Sequence, residues 1–307
     1  MLIGHQKQWN FLKKAAELNR LSHAYLFTGQ EKIGKKTFAF EFASHLLQQD
    51  VGKRQHPDFI FIEPEKKEIQ IGQIRECIWK FSLKPFLSSF KVAIIDQAHC
   101  MNQESQNSLL KTLEEPRGKA VLILITEYPE ALLPTILSRC EVVKFFPAKK
   151  KEIEKYLEGQ KLSKKEFEEI INYCRGKSGL LIDFVRQPRK LENQRKIRED
   201  LTKIINSPIA FRFQYANNLS QDLQLMKETL DVWLEYYRER FLTRIKQAHP
   251  NFAEQNLGGQ EPANDFSNGV SLSVFKKNLW ILQSTISLIA TTNINTKLAL
   301  ENLIMEL

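Results

Sequence analysis

An apolar pentapeptide, Ala24-Tyr25-Leu26-Phe27-Thr28, runs directly into Gly29-Gln30-Glu31-Lys32-Ile33-Gly34-Lys35-Lys36-Thr37, and an amphipathic stretch follows to Gln48. Strand, loop and helix in this order satisfy G-x-x-x-x-G-K, in which backbone N–H groups and a helix N-terminus wrap a phosphate. No other feature constrains the fold as much, because such a loop belongs at the carboxyl end of a strand in an α/β sheet. One position departs from the pattern: Lys36 stands where a Ser or Thr would hold magnesium. Thr37 comes one residue late, a rotation of about 100° on a helix. A second apolar run, Val92-Ala93-Ile94-Ile95, ends in Asp96-Gln97. Asp96 suits a magnesium contact through water, whereas Gln97, in the place of a glutamate, can neither accept a proton nor polarise an attacking water as a carboxylate does. Gly29, Gly34, Lys35, Thr37 and Asp96 are therefore expected to form a degenerate nucleotide site that does not hydrolyse ATP by itself.

The first half alternates apolar runs with amphipathic stretches, the pattern of helices crossing over between parallel strands. Strands are expected at Ala24 to Thr28, Phe59 to Ile62, Val92 to Asp96, Ala120 to Thr126 and Glu141 to Phe145. Ala39, Phe42, Ala43, Leu46 and Leu47 share one helical face, as do Ile74, Ile78 and Phe81 in the next connection. Asn102 caps a helix from Gln103 to Glu115. Beyond Phe146-Pro147 the chain reads as helix. Ser163-Lys164-Lys165-Glu166 forms a capping box, and Ser207-Pro208 marks a helix start. A long helix from Gln221 to Gln247 offers Leu225, Leu230, Trp233, Leu234, Tyr237 and Phe241 for burial. Residues 248–270 carry loop chemistry, and helices follow from Ser271 to Thr291 and Thr296 to Leu307. The fold class is α/β with a parallel sheet (1–146), a small helical domain (147–206) and an all-helical domain (207–307).

A net charge of +9 favours polyanionic partners, although no Lys/Arg block is long enough to be a dedicated arm. Cys77, Cys100, Cys140 and Cys174 are scattered without a C-x-x-C pair, so neither a zinc site nor a disulfide framework is expected. No apolar run approaches a membrane span and the N-terminus lacks a signal-peptide build, so a cytoplasmic location is expected.

A third element, Thr126-Glu127-Tyr128-Pro129-Glu130-Ala131-Leu132-Leu133-Pro134-Thr135-Ile136-Leu137-Ser138-Arg139-Cys140, stands beside His23-Ala24-Tyr25-Leu26-Phe27, His56-Pro57-Asp58-Phe59 and Asn107-Ser108-Leu109-Leu110-Lys111-Thr112-Leu113-Glu114-Glu115-Pro116. Together they resemble bacterial DNA polymerase III clamp-loader subunits of the AAA+ class, and among these the delta-prime family. The resemblance extends to Asn293-Ile294-Asn295-Thr296-Lys297-Leu298-Ala299-Leu300-Glu301-Asn302-Leu303, similar to the end of that family's collar. It implies an AAA+ domain, a helical lid and an oligomerising collar. The implied partners are gamma/tau and delta subunits, the sliding clamp and primer-template DNA. It also implies that Arg139, with Ser138 and Cys140 as its motif, reaches across a subunit boundary into a neighbour's ATP site. No cofactor is required, passive ATP or ADP binding stays open, and no metal is expected. The zinc module that many relatives carry is missing between Leu47 and His56. Leu180 and Leu181 lie near the place of a nucleotide-sensing arginine, with Arg186 about two turns away. Two rivals remain, an active gamma/tau-like ATPase and a stand-alone DNA-binding protein. Arg75 and Lys80 are candidates for phosphate contact.

Overall fold

The computed structural model describes residues 3–65, 68–115, 118–160, 162–248, 272–292 and 294–307. The loop expected at 248–270 lies outside them except for Ala248, as do Pro116 and Asn293. The chain divides into two compact units, Met1–Pro188 and Arg189–Leu307.

The first unit carries helix α1 (Gln6–Glu17), β1 (Ala24–Thr28), α2 (Lys35–Leu47), β2 (Phe59–Ile62), α3 (Ile71–Ser82), β3 (Lys91–Ile95), α4 (Gln103–Glu114), β4 (Ala120–Thr126), the short α5 (Pro134–Leu137) and β5 (Glu141–Lys144). All five strands are parallel in the order β2-β3-β4-β1-β5. Every residue of β1, β3 and β4 is buried, as a sheet covered on both faces requires. Side chains alternate between two cores with a period of two. Leu26, Ala93, Ile95, Leu122 and Leu124 join Ile74, Cys77 and Phe81 of α3 and Leu109 and Leu113 of α4. Tyr25, Phe27, Val92, Ile94, Val121 and Ile123 join Leu12 of α1 and Phe38, Phe42 and Leu46 of α2. Phe38 is the hub of an aromatic cluster, edge-on to Phe27, Phe145 and Trp9 at centroid distances of 5.7, 5.0 and 5.7 Å.

The strand expectations hold, with β3 and β5 shifted or shortened by one residue. Asn102 Oδ1 accepts from the Ser105 N–H at 2.8 Å, and Ser163 and Glu166 close their box at the start of α7 (Lys164–Cys174). That helix stands between α6 (Lys150–Leu157) and α8 (Ser178–Arg186) within the same unit.

The second unit begins with α9 (Pro188–Ile205), followed by α10 (Ile209–Leu219), α11 (Leu223–Ala248), α12 (Leu272–Thr291) and α13 (Thr296–Glu306). The expected helical segment 147–206 is thus divided, because Leu201 and Ile204 of α9 are buried in the core of the second unit. On α11 the buried stripe is Met226, Leu230, Trp233 and Tyr237, spaced 4, 3 and 4. Leu225 is a correction: it is 45% exposed, because it lies about 100° around the helix from Met226. Trp233 stacks on Tyr215, with centroids 6.0 Å apart. The Arg212 guanidinium donates to the carbonyls of Ile205, Ser207 (3.1 Å) and Ile304 (3.4 Å), so one cation serves the C-terminal ends of α9 and α13.

Asp58, fully buried just before β2, explains the His-Pro-Asp motif physically. Its carboxylate accepts from the N–H groups of Phe86 (2.6 Å), Leu87 (2.8 Å) and Ser88 (3.0 Å), and from the Ser88 hydroxyl (3.2 Å). Lys91 Nζ lies 4.0 Å away and donates to the carbonyls of Lys80, in the last turn of α3, and of Lys84 just beyond it. Burial alone would raise the Asp58 pKa, but the three backbone donors outweigh it and hold the carboxyl below its usual value. A depressed folded pKa means this stabilisation is complete above about pH 4 and is lost as pH falls through the folded value. Asp58→Asn should therefore cost about 3 kcal/mol at pH 7, read as a lower urea midpoint, and the gap from wild type should narrow towards pH 3.

Candidate functional site

The loop after β1 is held open by backbone that only glycine adopts easily. Gly29 and Gly34 have φ of 145° and 99°, and a Cβ at Gly29 would stand 2.5 Å from the Phe145 carbonyl oxygen. Around the loop, the Ser178 hydroxyl donates to the Ile33 carbonyl at 2.8 Å, and the same oxygen lies 2.7 Å from His5 Nε2. The Gly179 N–H donates to the Lys32 carbonyl at 2.7 Å. Helix α8 and the residue preceding α1 thus fix a phosphate-loop geometry.

Its chemistry is altered. Lys35 is buried, 7% exposed, and its ammonium donates to the carbonyls of Gly29 (2.5 Å) and Gln30 (2.6 Å), so the loop holds its own lysine. Burial lowers the Lys35 pKa, with Glu127, Glu31 and Asp96 pulling the other way. Lys36 Nζ lies 2.9 Å from Glu63 Oε2 and 3.2 Å from Asp96 Oδ2. Burial would lower the Lys36 pKa, but the bond to Glu63 and the pull of Asp96 win and raise it. The other Asp96 oxygen accepts the Gln97 N–H at 3.0 Å, and Gln97 itself is left-handed at φ 50°. The expected residues Gly29, Gly34, Lys35 and Asp96 thus flank one loop, and Thr37 follows on the first turn of α2. Glu63, which ends the run after β2, was not read from the sequence. A single acid carries no motif, and only the β2–β3 pairing brings it to Lys36. Among the described residues, no group of three His, Cys, Asp or Glu side chains is placed to hold a metal ion.

Arg139 is elsewhere. It follows α5 and precedes β5, and its guanidinium donates to Glu114 Oε1 (2.8 Å), the Thr135 carbonyl (3.0 Å) and Ser138 Oγ (3.3 Å). The Ser138 hydroxyl in turn donates to the Thr135 carbonyl at 3.1 Å and so braces the turn that carries Arg139. Cys140 packs partly buried against the core, and burial pushes its thiol up to about 12, so it stays protonated at neutral pH. In the β1–β5 register Tyr25 faces Glu141 and Thr28 faces Lys144. Arg139 therefore sits at the amino ends of the strands, and the phosphate loop at the carboxyl ends. The length of β1, roughly 16 Å at about 3.3 Å per residue, separates them.

The remaining candidates are less telling. Leu180 and Leu181 are buried on α8 and Arg186 is exposed at its end. Arg75 and Lys80 are exposed on α3, where Lys80 pairs with Glu76 at 2.6 Å. Beside them lies a surface the sequence reading missed: Trp79, Leu83, Phe86 and Leu87 are 61%, 47%, 80% and 66% exposed. Phe86 and Leu87 are pinned there by their N–H bonds to Asp58. Only Trp79 lies inside α3 and the other three follow its end at Ser82, so no helical periodicity marks this patch.

Residues 4–149 match the family described as DNA polymerase III, delta subunit. The DNA polymerase III subunit delta' of Bacillus subtilis (strain 168) is 37% identical over 166 residues, 50% of this chain and 50% of that protein. Its counterpart in Pseudomonas aeruginosa is 38% identical over 136 residues, 39% of this chain and 42% of that one. The chain thus spans about half the length of the curated relatives it matches. A solved structure from Thermotoga maritima, described as a DNA polymerase III gamma subunit-related protein, superposes over 96% of this chain and 97% of its own. Its TM-score is 0.51 at 20% identity, which speaks for the α/β fold and the helical part that follows.

Gly29 and Gly118 both have positive φ, but only Gly29 has neighbours where a Cβ would go. Gly118→Ala should cost about 1 kcal/mol, and Gly29→Ala about 3 kcal/mol or more because the backbone of Phe145 cannot give way. Chemical denaturation of the two variants measures the difference.

Proposed function

We propose, from the match of residues 4–149 to the family described as DNA polymerase III, delta subunit, and from the similarity to the delta' subunits of Bacillus subtilis and Pseudomonas aeruginosa, that this chain is a non-catalytic subunit of the bacterial replicative clamp loader. In this reading it supplies Arg139 in trans to the ATP site of an adjacent gamma/tau subunit. It supports delta as the assembled complex opens the sliding clamp on primer-template DNA in the cytoplasm. The helices after the sheet serve as lid and the C-terminal helices as collar.

The observation that carries the reading is the placement of Arg139 at the opposite end of the parallel sheet from its own phosphate loop. An arginine side chain does not cross roughly 16 Å of strand, so Arg139 does not reach a phosphate held in its own loop, which supports a role towards a neighbouring subunit. Guanidinium suits that task, being permanently charged, planar and weakly hydrated. The bond to Glu114, at the end of α4, holds the guanidinium until a stronger anion competes. The own-site chemistry points the same way, since Gln97 carries no carboxylate and both Asp96 oxygens already accept from protein donors.

The rival reading, an active gamma/tau-like ATPase, requires Asp96 to be released from Lys36 and a base other than Gln97. A stand-alone DNA-binding role rests on the net charge alone. The exposed Trp79, Leu83, Phe86 and Leu87 suit a protein partner better than a phosphate backbone.

Reconstitution with gamma/tau, delta, clamp and primed DNA tests the reading. Arg139→Ala should leave assembly intact and lower turnover at the adjoining ATP site by about 10³-fold. Intact assembly with unchanged DNA-stimulated ATP turnover would show the finger assignment to be wrong.

A further inference from the structure

The phosphate loop contains a cation of its own. Lys36 is the second residue of α2, where the loop pattern places the hydroxyl that binds magnesium. Its ammonium is surrounded by groups from two strands: Glu63 Oε2 at 2.9 Å after β2, Asp96 Oδ2 at 3.2 Å after β3, and the ring of Phe61 at 4.6 Å from its centroid. Two carboxylates and an aromatic face are the surroundings that stabilise a positive charge. Asp96 is also the acid through which a working site of this kind would hold its metal. Here one of its oxygens accepts from Lys36 and the other from the Gln97 N–H. Magnesium needs oxygen ligands in near-octahedral array. This position offers it an ammonium in place of a hydroxyl oxygen, and an aspartate whose oxygens both already face donors. The residues present do not fit the metal.

We propose that Lys36 is the resident cation of this pocket and closes it to divalent metal, and with it to metal-chelated nucleotide. A tethered monovalent charge takes the place that the substrate's magnesium would bring. Even with the phosphate-loop frame intact, the pocket then discriminates against the form in which ATP ordinarily reaches such sites. The inference rests on reading Gly29 to Thr37 and Asp96 as a degenerate nucleotide site. It does not depend on Arg139: its readout is binding to this chain, whereas the arginine is read in turnover by another subunit, so the two can fail separately.

The full chain is titrated with a fluorescent ATP analogue in magnesium and in EDTA, for wild type, Lys36→Thr and Lys36→Met, with far-UV circular dichroism to confirm folding. Gln97 is retained, so the readout is binding and not hydrolysis. Wild type should show no magnesium-dependent gain, whether its binding is weak or absent. Lys36→Thr, which restores the hydroxyl, should gain about tenfold or more in affinity with magnesium over EDTA. Lys36→Met, which removes the charge without supplying an oxygen, should gain much less. Magnesium-strengthened binding by wild type would overturn the proposal, and so would a folded Lys36→Thr that gains nothing. If Lys36→Thr does not fold, Lys36→Ser takes its place. Manganese bound by wild type with ATP, detected by electron paramagnetic resonance beyond that bound by ATP alone, would equally overturn it.

Discussion

The first unit depends on one constraint: a parallel sheet must be covered on both faces. Burying β1, β3 and β4 completely requires α1 and α2 on one face and α3 and α4 on the other. Each strand must then return by a crossover, and all carboxyl ends come out on one side. That alignment brings the loop after β1, Glu63 after β2 and Asp96 after β3 to a common rim. It also sends the residue before β5 to the opposite rim. The separation of Arg139 from the phosphate loop is therefore a result of topology and not of local sequence, and it would persist through many substitutions on either rim.

Within that frame, electrostatics separates what is retained from what is altered. The loop conformation is kept by Gly29, Gly34 and the bonds from Ser178 and Gly179. The charges in it are satisfied internally, Lys35 by loop carbonyls and Lys36 by Glu63 and Asp96. Such pairs contribute little to stability where they are half-exposed, and the role proposed for the Lys36 pairs is ligand discrimination instead. Asp58 is the contrasting case. Fully buried and bonded to three backbone N–H groups, it organises the segment between α3 and β3 and presents Phe86 and Leu87 outwards.

Much of this was legible in the sequence wherever the signal was local. The five strands, the Asn102 cap and the Ser163-Glu166 box follow from apolar runs and cap chemistry, which act over a few residues. Helix α1 was not read, although Trp9, Leu12 and Ala16 share its inward face, because His5 before it makes no side-chain capping bond that would mark its start. Leu225 was placed in the core where Met226 belongs, since a helix rich in apolar residues leaves its phase open until α10 and α12 pack on it. Glu63 and Glu114 were invisible as partners because each meets its lysine or arginine across 27 and 25 residues. Only the folded sheet decides such pairings. The grouping of Gly29, Gly34, Lys35 and Asp96 around one loop was legible because motif spacing encodes loop geometry, and the altered charges there became concrete only when Lys36 was seen between two acids.

The central claim is that the chain's arginine completes a neighbour's site while its own site is closed. The most direct measurement is the structure of the assembled loader trapped with a nucleotide transition-state analogue. The Arg139 guanidinium should have left Glu114 and lie about 2.7 to 2.9 Å from the phosphoryl mimic in the adjacent subunit, with Lys36 still on Glu63 and Asp96. An Arg139 that stays on Glu114 while the neighbouring site is filled, or metal and nucleotide bound in the chain's own loop, would contradict the account.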